Sequence, residues 1–194
     1  MRVPFRVMMI TVVLAVIHVL GPQTPMAGKG EAGPTIPLSS NVQPDAAIEH
    51  FRMTETRKGK RIWKVEADRA EVFEEQGLAI LVRVVHPVRI VMYHGEETLT
   101  SFAEKVVVNL KTKDLQLIGQ VRSESSEGIR IFGKDFTWVA GKHQISTDAP
   151  VVIEKKGLQI RGKGMVADTI QERVTFHGPI HSQITLSGKW EQAQ

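Results

Sequence analysis

The sequence predicts an all-β fold: a V-shaped β-sandwich or jelly roll of stacked antiparallel strands, built from about four repeats and preceded by an N-terminal transmembrane helix. Three observations carry the prediction. Apolar and polar residues alternate from residue 47 onward, and no later segment keeps a helical period for three turns. Aromatic residues are only 6% of the chain while Val, Ile and Thr abound, which favours strands. A small residue followed by a polar pair recurs four times, each time with the same change of phase.

Element by element, the chain begins with the short basic stretch MRVPFR, followed by VMMITVVLAVIHVL (residues 7–20), an apolar run broken only by Thr11 and His18. As a helix, residues 3–20 would cover about 27 Å, enough for a thin hydrocarbon core. The same length suits a signal peptide, but Pro25 occupies a position where cleavage after Ala27 wants a small residue. Residues 1–20 are therefore read as an uncleaved anchor, with Arg2 and Arg6 on the cytoplasmic side. Either reading exports the rest of the chain. Residues 21–46, rich in proline and without apolar periodicity, read as a tether, and residues 47–190 as the folded domain. The chain has no cysteine, which excludes disulfides, thiolate catalysis and Cys-ligated metals. A formal charge of +4, part of it at Arg2 and Arg6, is too mild to argue for nucleic acid.

The repeat anchors are Ala67-Asp68-Arg69, Ala103-Glu104-Lys105, Gly133-Lys134-Asp135 and Gly162-Lys163-Gly164. Inward-facing positions lie two and four residues before each anchor and three and five after it, so the parity flips. Side chains alternate faces strictly along a strand, so both halves can face one interior only if a bulge or corner adds a residue. Ala67, Ala103, Gly133 and Gly162 are thus corner residues. The first copy sends inward Trp63, Val65, Val72, Leu78 and Ile80, with Ile90 on the strand after it. The second contributes Leu99, Val106, Val108 and Leu117. The third contributes Ile129, Ile131, Phe136, Trp138 and Ile153, and the fourth Ile160 and Phe176. One unit cannot bury its apolar face alone, so the units stack edge to edge and fold over at the corners. By pattern alone these side chains are sandwich core, which needs no ligand.

WKVEADRAEVFEEQGLAIL, DAPVVIEKKGLQIRGKGMVAD and VTFHGPI, with the short apolar N-terminus and tether, resemble the LptC family, the membrane-anchored periplasmic component of lipopolysaccharide export. The similarity covers about residues 47–184 and extends to the soluble LptA-like relatives. It implies that the anchor associates with the inner-membrane ABC transporter and that the folded domain accepts lipopolysaccharide. It also implies that the C-terminal edge passes the lipid to a soluble periplasmic LptA-like protein by strand addition. It further implies no catalysis and no cofactor, and makes the inward-facing set the lining of a lipid slot. Acyl chains would gain about 0.8 kcal/mol per buried methylene there.

Other readings are weaker. A soluble bridge protein would result if the N-terminus were cleaved. Asp68, Glu104, Asp135 and Asp168 are the carboxylates an envelope hydrolase would draw on, but a catalytic pair is singular and three of these fall in or beside the repeated corner pair. His177 and His181 would stand about 13 Å apart on a strand, too far to share a metal. Lys29, Lys58, Lys60, Arg61 and Lys64, and Arg161, Lys163 and Lys189, are candidates for headgroup phosphates against the plainer reading of solvated edge charges. Residues 174–186 are the candidate partner-docking strand, interrupted at Pro179. LQIRGKGMVAD (residues 158–168) is a corner and not a phosphate loop, because no helical period comes after it.

Overall fold

The computed structural model describes residues 43–171 and 173–184. The apolar segment at residues 7–20, the tether up to residue 42, Lys29, Lys189 and the region beyond residue 184 lie outside the described residues. Among the described residues twelve strands make one antiparallel sheet: β1 (Ala46–Arg57), β2 (Lys60–Phe73), β3 (Leu78–Val82), β4 (Val88–His94), β5 (Glu97–Ala103), β6 (Lys105–Asn109), β7 (Leu115–Ser125), β8 (Arg130–Val139), β9 (Gln144–Lys155), β10 (Leu158–Asp168), β11 (Arg173–Phe176) and β12 (Ile180–Ile184).

Three pairs of these strands are halves of one bent strand. β3 and β4 both pair with β2, β5 and β6 both with β7, and β11 and β12 both with β10. Counting each pair once, the chain runs back and forth in nine passes, each bonded only to the passes before and after it. Every pass crosses one crease, and the crease divides the sheet into two facing halves. Trp63, Val65 and Ile90 from one half pack in a single cluster with Ala70, Val106 and Trp138 from the other.

The four repeat anchors sit at this crease. Across them the inward set shifts from Val65 to Ala70, from Ala103 to Val106, from Ile131 to Phe136, and to Met165 beyond Gly162. The extra residue appears as a register shift between Phe132 and Thr137 and another between Lys163 and Met165. Asp135 and Gly164 take left-handed backbone there, with φ of 51° and 65°. Gly133 and Gly162 are small for a packing reason: a Cβ at Gly133 would lie 2.7 Å from the Phe136 ring, and one at Gly162 would overlap the ring of Phe176.

β7 and β9 cross the crease as well, which the repeat does not reveal. Leu115, Leu117, Val121 and Ser123 keep one parity throughout β7, as do Ile145, Thr147, Val151 and Ile153 in β9. Alternation therefore runs through the bend as though the strand were straight. Pro179 interrupts the last pass as its missing N–H requires. There His177 and Gly178 donate to the carbonyls of Gly164 and Lys163 at 2.9 Å each, between β11 and β12.

Bending opens backbone groups that side chains then satisfy. The Asp135 carboxylate accepts from Gly119 N–H at 2.8 Å, and the Thr147 hydroxyl donates to the Lys134 carbonyl at 2.7 Å. Asp68 holds residues 84–86, the link between β3 and β4. Its Oδ2 accepts from the amides of Val84, Val85 and His86 at 3.2, 2.7 and 2.7 Å, and its Oδ1 lies 3.1 Å from the His86 ring.

One strand faces the other way from the sequence reading. Leu78 and Ile80 do not join the interior but pack with Phe73 and Val107 in a separate cluster on the outer face of β3 and β6. Directly paired residues share a face. Ala70 and Val72 of β2 point inward, so their partners Leu81 and Ala79 do too.

Candidate functional site

Between the facing half-sheets lies a slot with a cavity of about 80 Å³, bordered by side chains from both walls. Ile90 and Met92 of β4, Leu99 of β5 and Ile131 of β8 come from one wall. Leu115 and Leu117 of β7, Phe136 and Trp138 of β8, and Met165, Ala167 and Val174 come from the other. The exposed lining is overwhelmingly apolar because inward positions of β4, β5 and β7 to β11 converge here. An engineered apolar cavity of roughly 150 Å³ just holds a benzene molecule. The slot as it stands is therefore closed to a whole acyl chain and must widen to admit one.

Seven of the sequence-predicted lining residues border this cavity: Ile90, Leu99, Leu117, Ile131, Phe136, Trp138 and Ile153. Trp63, Val65, Val72, Val106, Val108 and Phe176 belong to the same interior but lie away from the cavity. Ile129 and Ile160 are buried outside both apolar clusters, and Leu78 and Ile80 lie on the outer face. Met165 and Ala167, three and five residues after Gly162, also border the cavity as the repeat requires, and so do Met92, Leu115, Val121, Ile145 and Val174. Several of them continue the inward parity of their strands, which is the signal that finds them.

Three polar side chains also border the slot. Ser101 and Ser123, directly paired across β5 and β7 and 5% and 7% exposed, hydrogen-bond to each other at 2.8 Å. Trp138 is 6% exposed, and its Nε1 is enclosed without a hydrogen-bond partner. Its ring stands edge-on to His143, with centroids 6.1 Å apart.

Asp68, Asp135 and Asp168 are each engaged by backbone amides. Asp68 is held far below the usual carboxylate range, chiefly by the amide of His86 and then by that of Val85. Asp168 is lowered mainly by the amide of Gln171, which donates to Oδ1 at 2.7 Å, with Ile170 at 3.0 Å. Asp135 is occupied at Gly119, and the Glu104 side chain lies over the same glycine. Among the described residues no three His, Asp or Glu side chains are grouped to hold a metal ion.

Several of the cations have local partners. Lys64 reaches Glu66 at 2.7 Å, Arg61 lies 4.6 Å over the Tyr93 ring, and Arg161 donates to Gln159 at 2.8 Å. Lys58 (φ 51°) and Gly59 (φ 74°) form the tight turn joining β1 to β2. An open polar hollow of about 280 Å³ lies by the β9–β10 turn, but Glu154 pairs with its Arg130 at 2.9 Å and Glu127 with its Lys155 at 3.6 Å.

Residues 10–185 match the family described as lipopolysaccharide-assembly, LptC-related. No curated protein matches the chain. Among solved structures, the chain is similar to LptH of Pseudomonas aeruginosa, described as the LptA homologous periplasmic component of the conserved lipopolysaccharide transport device. That likeness has a TM-score of 0.51 at 17% identity, covering 64% of this chain and 95% of that one, and it shows a shared fold.

Proposed function

Because the chain belongs to the lipopolysaccharide-assembly, LptC-related family, we propose that it transports lipopolysaccharide across the periplasm without catalysing a reaction. The acyl chains lie between the two half-sheets while the sugar and phosphate headgroup stays outside. The anchor at residues 1–20 holds the protein in the inner membrane as a single pass beside an ABC transporter, and the tether at residues 21–46 carries the folded domain. The lipid leaves at the C-terminal edge, where among the described residues β11 and β12 pair with β10 on one side only, and this edge accepts a strand of a soluble LptA-like protein.

The observation that carries this reading is the slot itself, an apolar surface shared by two walls whose strands are continuous through the crease. Each methylene moved there from water contributes about 0.8 kcal/mol, so widening the slot is offset once several are buried. Photo-crosslinkers at Ile131, Phe136 and Val174, compared with Ile80 on the outer face, test it. During active export the first three should capture lipopolysaccharide and Ile80 should not. Equal capture at all four, or none at the slot positions, would reduce the slot to ordinary core.

A further inference from the structure

The outer face of the half-sheet containing β4 and β5 carries an ordered row of arginines. Cross-strand pairing lines up Arg89, Phe102, Arg122, Phe132, Val152 and Arg161, one from each of β4, β5, β7, β8, β9 and β10. Directly paired residues share a face. Their chain neighbours Ile90, Ser101, Ser123, Ile131 and Ile153 border the slot, so alternation turns the row outward. Pairing extends it through Glu66 to Arg52 on β1, and His181 continues it on β12. With strands about 4.8 Å apart, the row from Arg89 to Arg161 is about 24 Å long.

Its cations outnumber the carboxylates beside them. Arg52, Arg89 and Lys64 share the carboxylate of Glu66, at 3.6, 3.0 and 2.7 Å. Arg122 reaches Glu124 at 3.3 Å, while Arg161 donates to the neutral Gln159. Arg52, Arg89 and Arg122 remain 76%, 44% and 59% exposed, and Phe102, Phe132 and Val152 are half-buried among the cations. Solvated edge charges need no apolar residues between them. Guanidinium groups that fit phosphate oxygens, interleaved with apolar side chains, suit a surface with phosphate above and hydrocarbon beneath.

A second feature stands beside the row. The link leading into β4 displays Val84 and Val85, 62% and 67% exposed. The interior next to it is filled by Ala70, Val88 and Ala103, none more than 2% exposed, so the link bulges outward. The three amides of residues 84–86 are taken by Asp68, which removes the cost of bringing bare backbone to an apolar phase. The tether adds a third argument. Ala46, where it enters the fold, is on the same strand as Arg52 and at most about 20 Å from it. A flexible chain of the tether's length reaches roughly 30 Å on average, which keeps this face within range of the membrane.

We infer that this face docks on an anionic bilayer, with the arginine row on lipid phosphates and Val84 and Val85 entering the headgroup layer. The inference takes the anchor at residues 1–20 from the proposed function and adds a second, salt-sensitive contact with the same membrane. The other half-sheet points away from the bilayer in this pose.

The chain has no cysteine, so Val85→Cys and, at the far end of the other half-sheet, Lys142→Cys each carry a single fluorophore. The full-length variants are reconstituted into vesicles of phosphatidylcholine alone, or of phosphatidylcholine with a third phosphatidylglycerol, with bromine on the acyl chains as quencher. The label at residue 85 should be quenched in the anionic vesicles and not in the neutral ones, and the label at residue 142 in neither. Quenching should disappear at about 1 M salt, where the screening length is about 3 Å. Arg89→Gln/Arg122→Gln/Arg161→Gln should lower the docked-to-free ratio about ten-fold or more, and Arg89→Lys/Arg122→Lys/Arg161→Lys should retain most of it. A label at residue 85 quenched no more than one at residue 142 would overturn bilayer docking and leave the row to solvent or to an acidic protein. Quenching indifferent to lipid charge and salt would overturn it as well. Flotation of the chain with neutral vesicles reports the anchor separately, so the anchor and the docking face can each fail alone.

Discussion

Asp68 carries more of the crease than its place in a repeated polar pair suggests. One carboxylate oxygen gathers three consecutive amides, fixing the link between β3 and β4, a loop of several residues between the two half-strands of one pass. The folded state binds the Asp68 proton more weakly than the unfolded chain does, so acid favours unfolding. The stabilisation is complete above about pH 4, near the ordinary carboxyl value, and is lost as pH falls toward the lowered folded value. Urea midpoints of the unaltered protein should therefore exceed those of Asp68→Ala at pH 7, with the gap closing below about pH 4. A gap that stays constant into strong acid would mean the carboxylate's charge plays no part in retaining residues 84–86.

At the scale of strands, what the sequence reveals depends on whether a bend changes phase. β2, β8, β10 and the β5–β6 pass flip parity, so the corners at Ala67, Ala103, Gly133 and Gly162 are legible from alternation alone. β7 and β9 bend without flipping, and their crossing leaves only local marks such as Gly119 (φ 89°) and Pro150. β3 is illegible for another reason. LAILV is apolar on both faces, with four of its five residues buried, so alternation gives no direction and the bulkier Leu78 and Ile80 look like the inward pair. Only the pairing with β2 decides. The cavity border is half legible, because the pattern identifies inward positions but not where the walls stand apart. Leu81→Ala checks the corrected face. With Leu81 fully buried in the main cluster, chemical denaturation should show a loss of about 2–5 kcal/mol, whereas a loss under about 1 kcal/mol would return β3 to the opposite orientation.

At the scale of the molecule, among the described residues each pass is bonded only to its sequence neighbours, so stability is passed along a line and the end passes have one supporting side. β1 is exposed at most of its positions and β12 at all five, while β3 and β6 bury most of their residues. Amide hydrogen exchange should be slowest in β3 to β7 and fastest in β1, β11 and β12. Uniform protection from end to end would show a single cooperative block instead. The crease has a mechanical consequence of its own. Hydrogen bonds run along each half-sheet, and the walls are joined through backbone at left-handed residues, glycines and broken strands. The molecule is thus stiff in the direction of pairing and compliant about one axis, and a wider guest is met by a change in a single angle. Both terminal edges are cut from the same two half-sheets, so any change in that angle also reshapes the strands that β1 and β12 present to a neighbour.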